Sequence, residues 1–296
     1  MSAGGETVLI TGATGFLGRA ACAAFTAAGF PVRALVRNPQ AAADLQPVAH
    51  GGIFRGDLPD AIDERALNGG VRALIHCAYE TRSASAEQAR RTNVKGTETL
   101  VRLSRKHGVR QLVFVSSMAA HESAVSVYGR TKFELENLFD TPHDTVIKPA
   151  TIIGDGGVFR RTREMLRRLP VLPLFYADRR LQTVWIEDAC QGLVGAVQKS
   201  LGGTLLLAHP ESTPMREFYR GIAQIDGIRL KTCRFPGDMA LLGIRVLEGI
   251  GLKPPITSDN LLGIKHLREF DPNADLVRLG LKPLSFQESL QRLRRN

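Results

Sequence analysis

Tyr128 and Lys132 stand four residues apart, and Ser117 precedes the tyrosine by eleven. On a helix, positions i and i+4 share a face, so a phenol and an ammonium would meet there. A phenol exchanges protons poorly near neutrality because its ordinary pKa is about 10. A neighbouring ammonium favours the phenolate and lowers that value, which makes the pair an acid/base couple. A serine hydroxyl on an adjacent strand can hold the oxygen that gives or takes the proton. Ser117 closes the run Gln111-Leu112-Val113-Phe114-Val115-Ser116-Ser117, apolar and then abruptly hydroxylic, with Ser116 as the fallback donor. Tyr-x-x-x-Lys alone is a common spacing, and its bland counterpart is a packed ring beside a surface lysine. The chemistry therefore depends on elements that bring these side chains to a ligand.

Those elements begin at residues 7–18. Val8-Leu9-Ile10 has the pattern of a buried parallel strand. Glycines follow at 12, 15 and 18, and Phe16 to Ala28 reads as a helix that Gly29 ends. A strand–glycine turn–helix unit is where a dinucleotide pyrophosphate gains close backbone approach and free helix N–H groups. Gly12, Thr14, Gly15, Phe16, Leu17 and Gly18 are the candidates to hold it. Val32 to Arg37 reads as the second strand. An acidic residue at that strand end would bind the adenosine ribose and repel a 2′-phosphate; Arg37, with Asn38 next, can instead grip the phosphate. This predicts NADP(H) over NAD(H), against the bland reading of Arg37 as a surface residue. Ile53-Phe54-Arg55 is a third short strand, followed by Gly56-Asp57-Leu58, where Asp57 also suits a turn or helix cap. Ala73 to Ala78 is a fourth; small residues Cys77 and Ala78 end it, and His76 reads as a packed strand residue rather than a catalyst.

Residues 86–107 form a long helical pattern containing Asn93-Val94-Lys95-Gly96-Thr97. Thr145 to Pro149 is a further strand, Gly203 to Ala208 a late one, and Ile228 to Arg234 alternates like a small one. Asp188 reads as a helix cap. Residues 237–251 form an apolar segment, with Leu241, Leu242, Ile244, Val246, Leu247 and Ile250; core is the favoured reading over a pocket wall or partner contact.

The turn from Thr11 to Gly18 resembles the Thr-Gly-x-x-Gly-Phe-x-Gly turn of the extended short-chain dehydrogenase/reductase superfamily, which includes the sugar-nucleotide epimerases and dehydratases. Asn93-Val94-Lys95-Gly96-Thr97, the strand ending in Ser117, and Tyr128 with Lys132 follow in that superfamily's order through about two-thirds of the chain. The resemblance implies a Rossmann-like, doubly wound α/β sheet with helices on both faces and a smaller C-terminal substrate lobe. Residues 1–150 would form the nucleotide-binding part, with contributions from about 183–210, and 151–296 mainly the lobe. It implies Tyr128 as acid/base, Lys132 tuning it and bonding the nicotinamide ribose, Ser117 orienting the substrate oxygen, and Asn93 supporting the network. It places Asp57 and Leu58 near the adenine, Cys77 and Ala78 against the cofactor, and Lys148, Pro149 and Ala150 beside the nicotinamide. It also implies a homodimer through the helices carrying Asn93 and Tyr128, where Leu135, Leu138 and Phe139 make an apolar stripe. Two departures stand out: Lys148 and Ile153 replace the usual Arg and Tyr, and the segment between Ser117 and Tyr128 is shorter than in most nucleotide-sugar enzymes.

Composition narrows the classes further. The chain has 296 residues, 44% hydrophobic and 23% charged, as soluble enzymes do. Four scattered cysteines lack metal-ligand spacing and read as reduced thiols of a cytoplasmic protein. The start shows no leader pattern, and no apolar run is long enough to span a bilayer. The net charge of +10 gathers partly at Arg160, Arg161, Arg163, Arg167, Arg168, Arg179 and Arg180, either a solvated face or a site for an anionic substrate. No nucleic-acid-binding motif accompanies it. The reading is hydride transfer at a carbonyl or alcohol carbon of a small molecule. The alternatives are a sugar-nucleotide epimerase or dehydratase and a non-catalytic NADP(H)-binding sensor or subunit.

Overall fold

Val8, Leu9 and Ile10 are fully buried, as a strand covered on both faces must be. The computed structural model describes residues 6–81, 86–252, 254 and 256–295; the leader-free reading of the first residues falls largely outside them. The strands are β1 (Thr7–Thr11), β2 (Val32–Val36), β3 (Gly52–Asp57), β4 (Ala61–Ile62), β5 (Val71–His76), β6 (Gln111–Val115), β7 (Thr145–Pro149), β8 (Thr151–Ile153), β9 (Leu172–Leu174), β10 (Arg180–Leu181), β11 (Thr183–Trp185), β12 (Gly203–Leu207), β13 (Thr213–Pro214) and β14 (Thr232–Arg234). The helices are α1 (Phe16–Ala27), α2 (Ala86–Lys106), α3 (Val127–Glu136), α4 (Gly157–Arg168), α5 (Ile186–Gln198), α6 (Met215–Ile225), α7 (Gly237–Gly249), α8 (Ser258–Lys265), α9 (Asn273–Leu279) and α10 (Phe286–Arg295).

The main sheet runs β12-β7-β6-β5-β1-β2-β3-β4 and is parallel except at the β3–β4 edge. Strand order reverses beside β1, which pairs with β2 on one side and β5 on the other. That reversal opens a crevice at the strands' carboxyl ends. Alternate residues of each strand serve opposite faces. Val8 and Ile10 join the core containing Phe25 of α1 and Leu193 of α5, whereas Leu9 faces the core of Leu100 on α2 and Leu135 on α3. Gly29, at φ +86°, takes the left-handed conformation just past α1, as a helix-ending glycine does.

Three placements differ from the sequence reading. Leu135 and Phe139 turn into the core, so little of the stripe on the Tyr128 helix is left for a partner. Asp188 lies inside the first turn of α5 rather than capping it, and its carboxylate accepts the Leu284 N–H from 96 residues away. The third is α7. It buries Gly237, Ala240 and Leu241 but exposes Met239, Leu242, Val246 and Ile250, so its outer face is not core.

Candidate active site

The glycine turn closes on itself so tightly that side chains are excluded. Gly12 sits at φ +65°, and a Cβ there would lie 2.8 Å from the Ala78 nitrogen. A Cβ on Gly18 would lie 2.2 Å from the Gly12 carbonyl oxygen. Gly15 provides α1 with no side-chain cap, so the first N–H groups of the helix remain available to a ligand. The cradle fits a dinucleotide pyrophosphate: bare backbone, a helix N-terminus and no acidic residue in its first turn. Gly12, Thr14, Gly15, Arg37, Asp57, Leu58, Cys77 and Ala78 line one groove of about 570 Å³. Gly18 instead underpins the turn from behind. The sequence reading put no acid near Arg37; the fold brings Glu80 there, 3.5 Å from its guanidinium.

Beneath the groove runs a buried polar chain with a single consistent direction. Ala78 N–H donates to Thr11 Oγ1 at 3.2 Å, and Thr11 Oγ1 lies 2.8 Å from His76 Nδ1. His76 Nε2 lies 3.0 Å from Thr97 Oγ1, which donates to the Asn93 carbonyl at 2.6 Å. Because Thr97 spends its proton on Asn93, His76 must donate from Nε2 and accept at Nδ1. Burial and the Lys132 charge push the His76 pKa down to about 3, which keeps this neutral form. The Asn93 side chain then brackets Glu80, accepting its N–H at 2.7 Å and donating to its carbonyl at 3.0 Å. Asn93 thus anchors the segment after β5 instead of reaching the cleft's reacting end.

A second, mostly apolar basin of about 470 Å³ adjoins the groove across Cys77 and Tyr79. Ser117, Tyr128 and Lys132 line it together with Phe16, Leu17, Pro149 and Ala150. Ser126 caps α3 by accepting the Gly129 N–H, which sets the helix start just before Tyr128. Burial holds the Tyr128 phenol above the usual tyrosine range, and the Ser117 side chain works against that shift. Lys132 is almost wholly buried; its Nζ donates to the Val115 carbonyl at 2.6 Å and lies 4.4 Å from the Tyr79 ring centre. Burial lowers its pKa to about 7. The expected depression of the phenol by the ammonium is therefore not what the structure shows. Desolvation outweighs it and favours the neutral form of both groups.

The remaining candidates divide. Ser116 also lines the basin, but its hydroxyl donates to Glu136 at 2.5 Å. Lys148 lines neither the groove nor the basin; its ammonium pairs with Glu136 at 2.8 Å and donates to the Ala120 carbonyl at 2.9 Å. None of the seven clustered arginines lines either cavity, and Arg163 and Arg167 both hold Asp226. The basin instead contains Tyr79, His121, His266 and Arg268, none of which the sequence marks as a site. Tyr79 could have been suspected from its place just after a strand's carboxyl end; the others carry no spacing signal. Among the described residues no cluster of three or more His, Cys, Asp or Glu suits a metal ion, and no helix is long and apolar enough to cross a membrane.

The order and geometry of these parts agree with what comparison finds. The model of the NAD dependent epimerase/dehydratase family matches residues 8–200. The chain belongs to that family. Members similar to it include a ceramide reductase of Caulobacter vibrioides, 30% identical over 77% of this chain and 73% of that protein. Another is the 4-hydroxy-2-methyl-3-oxo-4-farnesyl-3,4-dihydroquinoline-1-oxide ketoreductase of Stigmatella aurantiaca, 26% identical over 81% of this chain and 79% of that protein. In fold, the chain is similar to MoeE5 in complex with UDP-glucose and NAD, with a TM-score of 0.73, 19% identity, and 98% and 97% of the two chains covered. As a member of the epimerase/dehydratase family, the protein is an enzyme of the short-chain dehydrogenase/reductase type, an oxidoreductase or an epimerase.

Proposed function

We propose that the protein reduces a ketone carried on an apolar molecule, using NADPH, with Tyr128 as proton donor. One observation carries this reading: Ser117, Tyr128 and Lys132 together line an apolar basin that opens directly into the nucleotide groove. The bound cofactor supplies a hydride to the carbonyl carbon. Ser117 holds the carbonyl oxygen as it becomes negative, and Tyr128 gives that oxygen its proton, which completes a secondary alcohol. Burial keeps the phenol protonated at neutral pH, the state a proton donor needs. Lys132 shares the Tyr128 face of α3 and titrates near neutrality, so it returns a proton to the phenolate and recovers its own from water. Pro149 and Ala150 wall the basin beside the expected nicotinamide position.

Two relatives with apolar substrates in their names, the ceramide reductase and the farnesyl-dihydroquinoline-oxide ketoreductase, support the substrate class. The preference for NADPH rests on Arg37, whose side chain is 76% exposed at the end of β2 and whose contact with Glu80 is long. Residues 151–296 supply much of the basin, through Leu181, Leu262, His266 and Arg268, and act mainly as the substrate lobe. One feature favours a second reading. Arg268 in the basin could bind a phosphate, as an epimerase acting on a sugar nucleotide would require.

Purified protein should oxidise NADPH with a long-chain aliphatic ketone. UDP-glucose should remain unchanged when the protein is given NAD. Interconversion of the sugar nucleotide without net cofactor turnover would establish the second reading. Tight NADPH binding with no turnover of any ketone or sugar nucleotide, and an unaltered cellular phenotype in Tyr128→Phe, would establish a non-catalytic binder.

A further inference from the structure

Helix α7 presents its apolar side to water. Ala240 and Leu241 pack toward Leu261 of α8 with Ile244 beside them. Met239, Leu242, Val246 and Ile250 recur at +3, +7 and +11, so they form one stripe on the opposite side of the helix, 58–70% exposed. Phe235 before the helix and Leu252 after it are exposed as well. A helix bathed in water on that face should be polar there. Isolated exposed apolar residues are ordinary, but a helix-long stripe marks a surface that something covers.

The charges around the stripe indicate what covers it. Lys231 and Arg234 are exposed in and beside the strand leading into the helix, and Arg245 is exposed on the helix itself. No carboxylate among the described residues pairs with Lys231 or Arg234. The nearby acids are already engaged: Asp238 holds Lys265 at 2.6 Å and the Tyr176 hydroxyl, while Glu248 accepts the Ser258 N–H. Arg245 interacts with Glu248, but Lys231 and Arg234 keep their charge free, and an apolar stripe edged by such cations matches the interfacial plane of an anionic bilayer. A second copy of this chain would face cations with cations in a two-fold contact, against a net charge of +10 on each protomer.

The stripe also connects with the basin. Helix α8 lies between them: Leu261 meets α7, whereas Leu262 and Gly263 line the basin. We propose that the outer face of α7, with Lys231, Arg234 and Arg245, docks on the surface of an anionic lipid bilayer, from which the apolar basin takes its ketone. The supply of substrate rests on the function proposed above; the docking does not.

Flotation of the purified protein with vesicles separates the two. The protein should float with vesicles of phosphatidylcholine and phosphatidylglycerol and stay in solution with phosphatidylcholine alone. Leu242→Asp combined with Val246→Asp should weaken binding at least about tenfold, and Lys231→Glu combined with Arg234→Glu should do the same. Both variants should keep NADPH affinity and turnover of a short water-soluble ketone, which shows that they fold. Binding that survives both variants would overturn the docking. So would a dimer in sedimentation that the aspartate variant dissolves while no vesicle binding occurs. Vesicle binding that depends on the stripe, with no turnover of any ketone, would sustain the docking and end the reductase reading.

Discussion

The groove around Gly12 and the basin around Tyr128 share a wall at Cys77 and Tyr79 but are built by different means. One end of the groove is backbone, shaped by glycines that admit no side chain; its floor is a locked chain of hydrogen bonds, and its charge comes from Arg37, Asp57, Asp60, Glu80 and Arg91. The basin is side chain, gathered from β6, α3, the segment after β7, and α8. Backbone geometry tolerates one ligand shape, whereas a wall of side chains can change its ligand by exchanging residues. On the function proposed above, the groove would hold the cofactor and the basin would set specificity.

The sharpest way to break that division is Tyr128→Phe. It should lower turnover about 10³-fold while NADPH affinity, read by nicotinamide fluorescence, stays within about twofold. Equal losses in both would mean that the phenol belongs to the groove as well. Gly18→Ala should do the reverse. Its methyl has nowhere to go but into the Gly12 carbonyl, so about a hundredfold of cofactor affinity should go, with about 2 kcal/mol of stability in a thermal melt.

A third test reads the locked floor. With its folded pKa near 3 and its unfolded value at 6.5, His76 leaves the unfolded chain binding more protons between those limits. Stability gained from neutral His76 is complete above pH 6.5 and falls as pH drops toward 3, by about 2 kcal/mol at pH 5. The midpoint of urea unfolding should follow that slope, and His76→Gln should flatten it. Lys132 acts with the same sign higher up: in the cofactor-free protein, stability should rise with pH from about 7 toward its ordinary 10.5. The smallest effect is Arg37→Ala, which should weaken NADPH about tenfold and leave NADH unchanged. Equal weakening of both cofactors would mean that Arg37 serves only to hold Glu80.

Legibility in the sequence followed the same division. Gly12, Gly15, Gly18 and the apolar β1 were readable because a tight turn between a buried strand and a helix leaves few choices of residue. Tyr128 and Lys132 were readable because one helix turn fixes their spacing. His121, His266 and Arg268 reach the basin from separate segments, and no local pattern records where a distant loop will lie. Lys148 was placed beside the nicotinamide by the family resemblance, but resemblance does not reveal that Glu136 draws the ammonium aside. Helix α7 misled for another reason. Both its faces are apolar, and periodicity does not say which of two apolar faces meets the core.

The hydrogen-bonded chain under the groove has one more consequence, which concerns conduction. A proton wire must deliver a proton at one end, accept one at the other, and reorient between passages. This chain begins at the Ala78 amide and ends at the Asn93 carbonyl, and neither group ionises at neutral pH. It is an insulator laid beneath the nucleotide groove. On the reading proposed above, the substrate oxygen takes its proton from Tyr128, and this chain offers no second route.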